Sequence, residues 1–321
     1  MKARQTVAAC VFLLCLTGCG CTDQPKQAAS PPPAAQATLS LSATTEALPA
    51  EATGGFDGSK AFAHVEKLVA VGPRTPGSAG IRRAQEYIRG QLDGAGCKVE
   101  EDNFEAVTPA GKLPMKNIVA KISGSSSSLV LLMTHYDTRR MEGFVGANDG
   151  GSSTGLMLEM ARQLCPRKHA FEIWIVFFDG EEDLVRWSDI DGTFGSRQMA
   201  AKLALTGELK RIKAAILADM IGDRDLNIRR ETNSTAWLTD LVWSAAARLG
   251  YTKYFLSDSQ AVEDDHTAFL RRGVPATDLI DFDYPAWHTP ADTLDKISPR
   301  SLGIVGHVLL ESLKDLEKKF R

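Results

Sequence analysis

The sequence predicts an α/β fold, a three-layer sandwich whose mixed, mostly parallel central sheet is flanked by helices. Two observations lead there. From about Phe56 onward, segments with helical apolar spacing alternate with short apolar segments, the pattern of chains whose helices cover both faces of a sheet. Four apolar segments also run into acidic or imidazole side chains. They are 129–133 before Thr134-His135-Tyr136-Asp137, 173–178 before Asp179-Gly180-Glu181-Glu182, 214–218 before Asp219, and 276–282 leading on to Trp287-His288. Open α/β sheets hold their ligands beyond the carboxyl ends of the strands.

Helical spacing predicts a first helix over 59–71 and a second over 79–92, separated by the turn-rich Gly72-Pro73-Arg74-Thr75-Pro76-Gly77. Residues 98–107, 116–122 and 128–133 read as strands, the first pair antiparallel. A helix at 155–164, a buried strand at 171–178, a helix at 194–205 and a strand at 213–218 follow. Next come a short strand at 226–230, a helix at 236–249 and a strand at 276–280. Ser298-Pro299 suits an N-cap and first helical position, opening a last amphipathic helix to about Lys318. There is no internal repeat.

With 44% hydrophobic and 24% charged residues in 321, the chain can bury one large core and still carry a tail. A formal charge of −3 offers no basic footprint, so nucleic acid is not an expected partner. The tail reads as a secretion and lipidation signal. Lys2 and Arg4 precede an apolar segment, 7–16, too short to span a bilayer, and Leu16-Thr17-Gly18-Cys19 follows. That tetrapeptide resembles a bacterial lipobox, although Cys10, Cys15 and Cys21 lie nearby. The expectation is a leader over 1–18, a lipid-modified Cys19, an Ala/Pro/Ser-rich tether over 19–55 and a folded domain over 56–321. It places the protein on a bacterial cell envelope, facing the periplasm or exterior. Cys97 and Cys165 are the cysteines of the folded part, and spacing leaves open whether they form a disulfide or stay as two free thiols.

Five residues are candidate ligands: His135, Asp149, Glu182, Asp219 and His288. Taken singly, each has an ordinary explanation; Asp149 in Asn148-Asp149-Gly150-Gly151 would suit any tight turn. Gathered at strand ends they point to zinc, which takes carboxylates and imidazoles. His64, His169 and His307 lack an acidic companion and read as packing or surface residues. Glu181-Glu182 is the most telling pair. Two adjacent carboxylates after a buried strand cost desolvation and mutual repulsion unless a cation neutralises one of them. One can then bind metal while its neighbour moves protons.

The segments FVGANDGG (144–151), FFDGEED (177–183), WSDIDGTFGSR (187–197), EDDHTAFLRRGVP (263–275) and WHT (287–289) resemble the glutaminyl-peptide cyclotransferases, which share a fold with the zinc aminopeptidases of metallopeptidase family 28. The likeness covers roughly Phe56 to the C-terminus. It implies a zinc-aminopeptidase-like fold and conversion of the N-terminal glutamine of peptides or proteins to pyroglutamate, with loss of ammonia. It further implies one zinc on Asp149, Glu182 and His288, proton transfer by Glu181, and Asp219 and Asp264 holding Glu181 through shared hydrogen bonds. Trp187 and Trp287 would wall the substrate pocket, and the protein would act as a monomer. The alternative on the same scaffold is an aminopeptidase with two zinc ions, His135 and Asp219 completing the second site and Asp149 bridging. A non-catalytic peptide-binding lipoprotein fits the charged set less well. The chain departs from the animal cyclases where Thr134 and Thr154 match a disulfide, where Asp278 matches a substrate-side histidine, and where the segment before Trp287 is one residue shorter.

Overall fold

The computed structural model describes residues 46–320, and every count below is of those residues. The leader, Cys19 and most of the tether lie outside them. The folded body begins ahead of the 55/56 boundary: a 3-10 turn at Ala50–Thr53 buries Thr53, and Gly54 lies against the His307 ring.

Helix α1 (Gly58–Val71) starts where the Asp57 carboxylate accepts the Ser59 and Lys60 N–H groups, and α2 (Ala79–Gly94) where Ser78 accepts that of Ile81. Strands β1 (Lys98–Thr108) and β2 (Gly111–Ile122) form an antiparallel hairpin. β3 (Gly124–His135), α3 (Gly151–Leu164), β4 (His169–Phe178), α4 (Phe194–Thr206) and β5 (Ile212–Asp219) follow. The chain continues through β6 (Ile228–Glu231), α5 (Ala236–Arg248), β7 (Phe255–Gln260), α6 (His266–Leu270), β8 (Ala276–Ile280) and α7 (Pro299–Phe320).

The main sheet runs β1-β2-β4-β3-β5-β8, with β4, β3, β5 and β8 mutually parallel; β6 and β7 pair separately. Along β3, Leu129 through Met133 are all fully buried. Val130 and Leu132 face the core shared with α1, α2, α3, α5 and α7, while Leu129, Leu131 and Met133 face α4 and α6. Burial on both faces explains why this strand reads as an unbroken apolar run. Each such side chain contributes about 1.5–3 kcal/mol on leaving water.

The expected elements all form, with shifted bounds. α3 begins a turn early at Gly151, because Gly150 takes a left-handed conformation (φ 69°) that lets the chain enter the helix at once. β2 runs back through Pro114, tolerated there because pairing with β4 covers only 118–122. Two elements carried no readable signal. β7 buries only Phe255 fully, so it lacks alternation, and α6 spans a single short stretch of five residues.

Cys97 and Cys165 form a disulfide, their Cα atoms 5.2 Å apart, tying the start of β1 to the end of α3. Closing a separation of 68 residues removes chain entropy from the unfolded state equivalent to about 4 kcal/mol.

Candidate metal centre

The four parallel strands deliver their carboxyl ends to one edge of the sheet. His135 is the last residue of β3, Asp219 the last of β5, and Glu181-Glu182 follow β4 after a two-residue turn. Asp149 comes from the turn that opens α3 and His288 from the loop before α7. Two sets of ligand atoms result, each within 4.8 Å: His135, Asp149 and Asp219, and Asp149, Glu182 and His288. In the second, His288 Nε2 lies 3.4 Å from Asp149 Oδ2 and 3.2 Å from Glu182 Oε2. In the first, His135 Nε2 lies 3.3 Å from Asp149 Oδ1 and 3.1 Å from Asp219 Oδ1. Zinc with bonds of about 2.0–2.2 Å in a tetrahedron spaces its ligand atoms about 3.3–3.6 Å apart, close to the imidazole–carboxylate edges of both sets.

The sets differ in how their polar atoms are satisfied. His135 Nε2 makes a directed hydrogen bond to Asp219, and its Nδ1 is paired with Asp137 Oδ1 at 3.3 Å. Asp149 Oδ2 is buried with no hydrogen-bond partner although His288 stands beside it. An orphaned carboxylate oxygen flanked by another carboxylate and an imidazole is what a cation would satisfy.

Residues behind the ligands fix them. Asp137 accepts the N–H groups of both Glu181 (3.1 Å) and Glu182 (3.3 Å), so one carboxylate sets the turn that presents the pair. Asp292 does the same for the Asp149 turn, accepting from Asn148 N and Asp149 N, and is held by the Tyr284 hydroxyl at 2.7 Å. A Cβ on Gly150 would stand 2.9 Å from the His135 ring, so glycine is required by space as well as by φ. His288 itself has φ 52°, a left-handed conformation that costs a non-glycine residue about 1–3 kcal/mol. Arg74, fully buried, donates to the carbonyls of Tyr136, Val145 and Gly146 and thereby folds the loop between β3 and α3.

Burial dominates the electrostatics. It pushes Glu182 up to about 8, with the Asp149 charge adding, and Glu181 well above the carboxylate range. Asp264 rises to about 7 by burial and the nearby Asp219. For Asp149 the two imidazoles outweigh burial and hold it well below its ordinary value. His288 rises to about 9 and His135 well above its usual value, because flanking carboxylates outweigh a burial that alone would lower both.

Glu181 Oε2 lies 4.0 Å from His135 Nδ1. The Asp264 charge bears on Glu181 and the Asp219 charge on Asp264. Asp219 also accepts from His135 and Met220 N, and among the described residues Asp264 Oδ2 has no hydrogen-bond donor. A cavity of about 370 Å³ opens above these groups, lined in part by Glu181, Asp264, Trp187, Trp287, Phe282 and His288. Trp287 stacks on His288 (centroids 4.1 Å apart) and meets Phe282 at 4.5 Å, an aromatic neighbour the sequence reading did not single out.

The region 117–313 matches the family model described as Peptidase family M28. The glutaminyl-peptide cyclotransferase of Boiga irregularis is 32% identical over 277 residues, covering 74% of this chain and 75% of that protein. Among solved structures, the glutaminyl cyclase of an Acidobacteriales bacterium shares 42% identity at a TM-score of 0.79, covering 82% of this chain and 96% of its own. The chain belongs to the glutaminyl cyclases of peptidase family M28. A Zn-dependent exopeptidase from Parabacteroides distasonis is also similar, at 30% identity and a TM-score of 0.74, covering 80% of this chain and 98% of that one.

Two of the departures from the animal pattern have local partners or a buried setting. Thr134 donates to Ser153 Oγ at 2.7 Å and Thr154 to the His135 carbonyl at 2.8 Å, so hydrogen bonds join β3 to α3 where a disulfide would. Asp278 is fully buried, 3.9 Å from His266 Nδ1, and does not line the pocket. His64, His169 and His307 pack against Tyr87, the Leu164 carbonyl and Tyr251. Sequence reasoning did not single out Arg74, Arg139 or Asp292. Arg139 sits beside His288 and pairs with Asp183, yet in the sequence it is one of two adjacent arginines in a loop.

One prediction concerns Asp179, fully buried and pushed up to about 8 by burial and the Asp137 charge. A carboxyl whose folded pKa is raised contributes stability that is complete below its unfolded value, about 4, and is lost as pH rises through 8. Asp179→Asn keeps an oxygen for the Lys116 N–H and the Gln85 amide but cannot ionise. The Tm of the variant should therefore fall less than that of the parent between pH 5 and 8; identical pH slopes would contradict the assignment.

Proposed function

We propose that this protein is a zinc-dependent glutaminyl-peptide cyclotransferase, converting the N-terminal glutamine of peptides or proteins to pyroglutamate and releasing ammonia. The observation that carries the proposal is the small cavity walled by Trp187, Trp287 and Phe282 directly over Glu181. A glutamine side chain folded back on its own amine is compact and suits aromatic walls.

Asp149, Glu182 and His288 would hold the zinc, which when bound supplies Lewis-acid polarisation of the substrate's γ-carbonyl. The remaining work falls to the chain. The pocket holds the curled conformer, so that closure of a five-membered ring gains from proximity. Glu181 takes a proton from the α-amine as its nitrogen bonds to the carbonyl carbon of the side-chain amide (Cδ). It then delivers that proton to the amide nitrogen as the C–N bond breaks and ammonia leaves. Burial keeps the carboxyl's proton affinity high enough for the return step. The negative charge of Asp264 raises that affinity further.

The aminopeptidase reading has two observations in its favour, the second ligand set and the likeness to a Zn-dependent exopeptidase. Against a second zinc stands the hydrogen-bonded pairing of His135 with Asp219, in which the imidazole already satisfies the carboxylate. We therefore infer one zinc per chain. The two activities separate by product: the same preparation is given a glutamine-leading and a leucine-leading peptide and the products are weighed by mass spectrometry. Pyroglutamate and ammonia should form, with little leucine, and Glu181→Gln should lower kcat about 10²–10⁴-fold with zinc retained. Rapid leucine release without pyroglutamate would refute the cyclase.

We further propose that the chain is lipid-anchored through Cys19 on a bacterial cell envelope, facing the periplasm or exterior, and acts as a monomer. The Cys97–Cys165 disulfide supports an oxidising compartment. Intact-mass measurement should find acyl chains on the native protein and none on Cys19→Ala; an acylated variant would contradict the anchor.

A further inference from the structure

The loop at 184–191 is built around one carboxylate. Asp191, 1% exposed, accepts the N–H groups of Leu184, Val185 and Arg186 at 2.9 Å each, and its backbone exchanges hydrogen bonds with Ser188. The loop backbone is thus fixed, and it presents Arg186 beside Trp187 on the wall of the catalytic pocket. The Arg186 side chain is exposed, and among the described residues its guanidinium has no hydrogen bond or ion pair.

The other arginines around this mouth are engaged. Arg139 pairs with Asp183, Arg271 with Glu263 at 3.1 Å, and Arg197 donates to the carbonyls of Asp189, Gly192 and Thr193. The carboxylates deeper in the pocket belong to the metal and proton-transfer groups already described. A cation at the rim, held by a rigid loop and left without a partner, is a recognition element for an anion.

We propose that Arg186 reads the residues immediately after the N-terminal glutamine, favouring peptides with an acidic side chain at the second or third position. The proposal rests on the cyclase reading. A glutamine curled in the cavity must send the rest of its chain out past this rim, where a carboxylate would meet an unpaired guanidinium and an ammonium would meet repulsion.

The test uses C-terminally amidated peptides of equal length that begin with glutamine and carry Glu or Lys at the second position, with a further pair varied at the third. The ratio of kcat/KM for Glu over Lys should be about two- to fivefold at one of these positions, carried by KM, and should shrink as salt is raised. In Arg186→Ala the ratio should fall towards one, and in Arg186→Glu it should invert. Equal turnover of Glu and Lys peptides by the parent at both positions overturns the Arg186 assignment alone, as does a ratio that survives Arg186→Ala. Absence of pyroglutamate from every peptide overturns the cyclase reading and this inference with it.

Discussion

The structure depends on neutralising a group of carboxylates that its own sheet forces out of water. β3, β4 and β5 end side by side, and the residues that continue them are His135, the Glu181-Glu182 pair and Asp219, all at most 8% exposed. Leaving an ionised carboxylate buried without a partner is among the costliest arrangements a protein can make. The counter-charges the chain supplies are the imidazoles of His135 and His288 and the buried Arg74. His135 is spent on Asp137, Asp149 and Asp219, and Arg74 on backbone carbonyls. The second oxygen of Asp149 and the Glu182 carboxylate are left sharing His288, and there a divalent cation has the most to offer.

Much of the remaining architecture serves that balance. Asp137 sets the turn of the Glu pair, Asp292 sets the turn of Asp149, and a left-handed backbone aims His288 at both carboxylates. These supports carry negative charge or strain themselves, so they are stable only because the surrounding sheet and helices over-determine them. The aromatic wall is coupled to the same device: Trp287 precedes His288 and stacks on it, so substrate cavity and ligand geometry move together.

How far the sequence discloses this follows from covalent proximity. His135 and Asp219 were legible because each ends an apolar strand and the Glu pair because it follows one by two residues, and the strands themselves were legible from burial on both faces. Asp149 and His288 lie in loops, where only the pattern of surrounding residues marked them, a pattern shared with the cyclases. Asp292 and Arg74 left no such mark. Each acts through backbone groups contributed by distant segments, and in sequence one is an acid in a polar loop and the other a cation between two prolines. β7 went unseen because it hides little from water.

The most direct test of this charge balance is the number of zinc ions held by the folded chain, read by native mass spectrometry after zinc loading and exhaustive dialysis, with His288→Ala beside it. One tightly held zinc in the parent and none in the variant is the predicted result. Two retained zinc ions would contradict the account, because His135 and Asp219 would then be ligands rather than each other's partners.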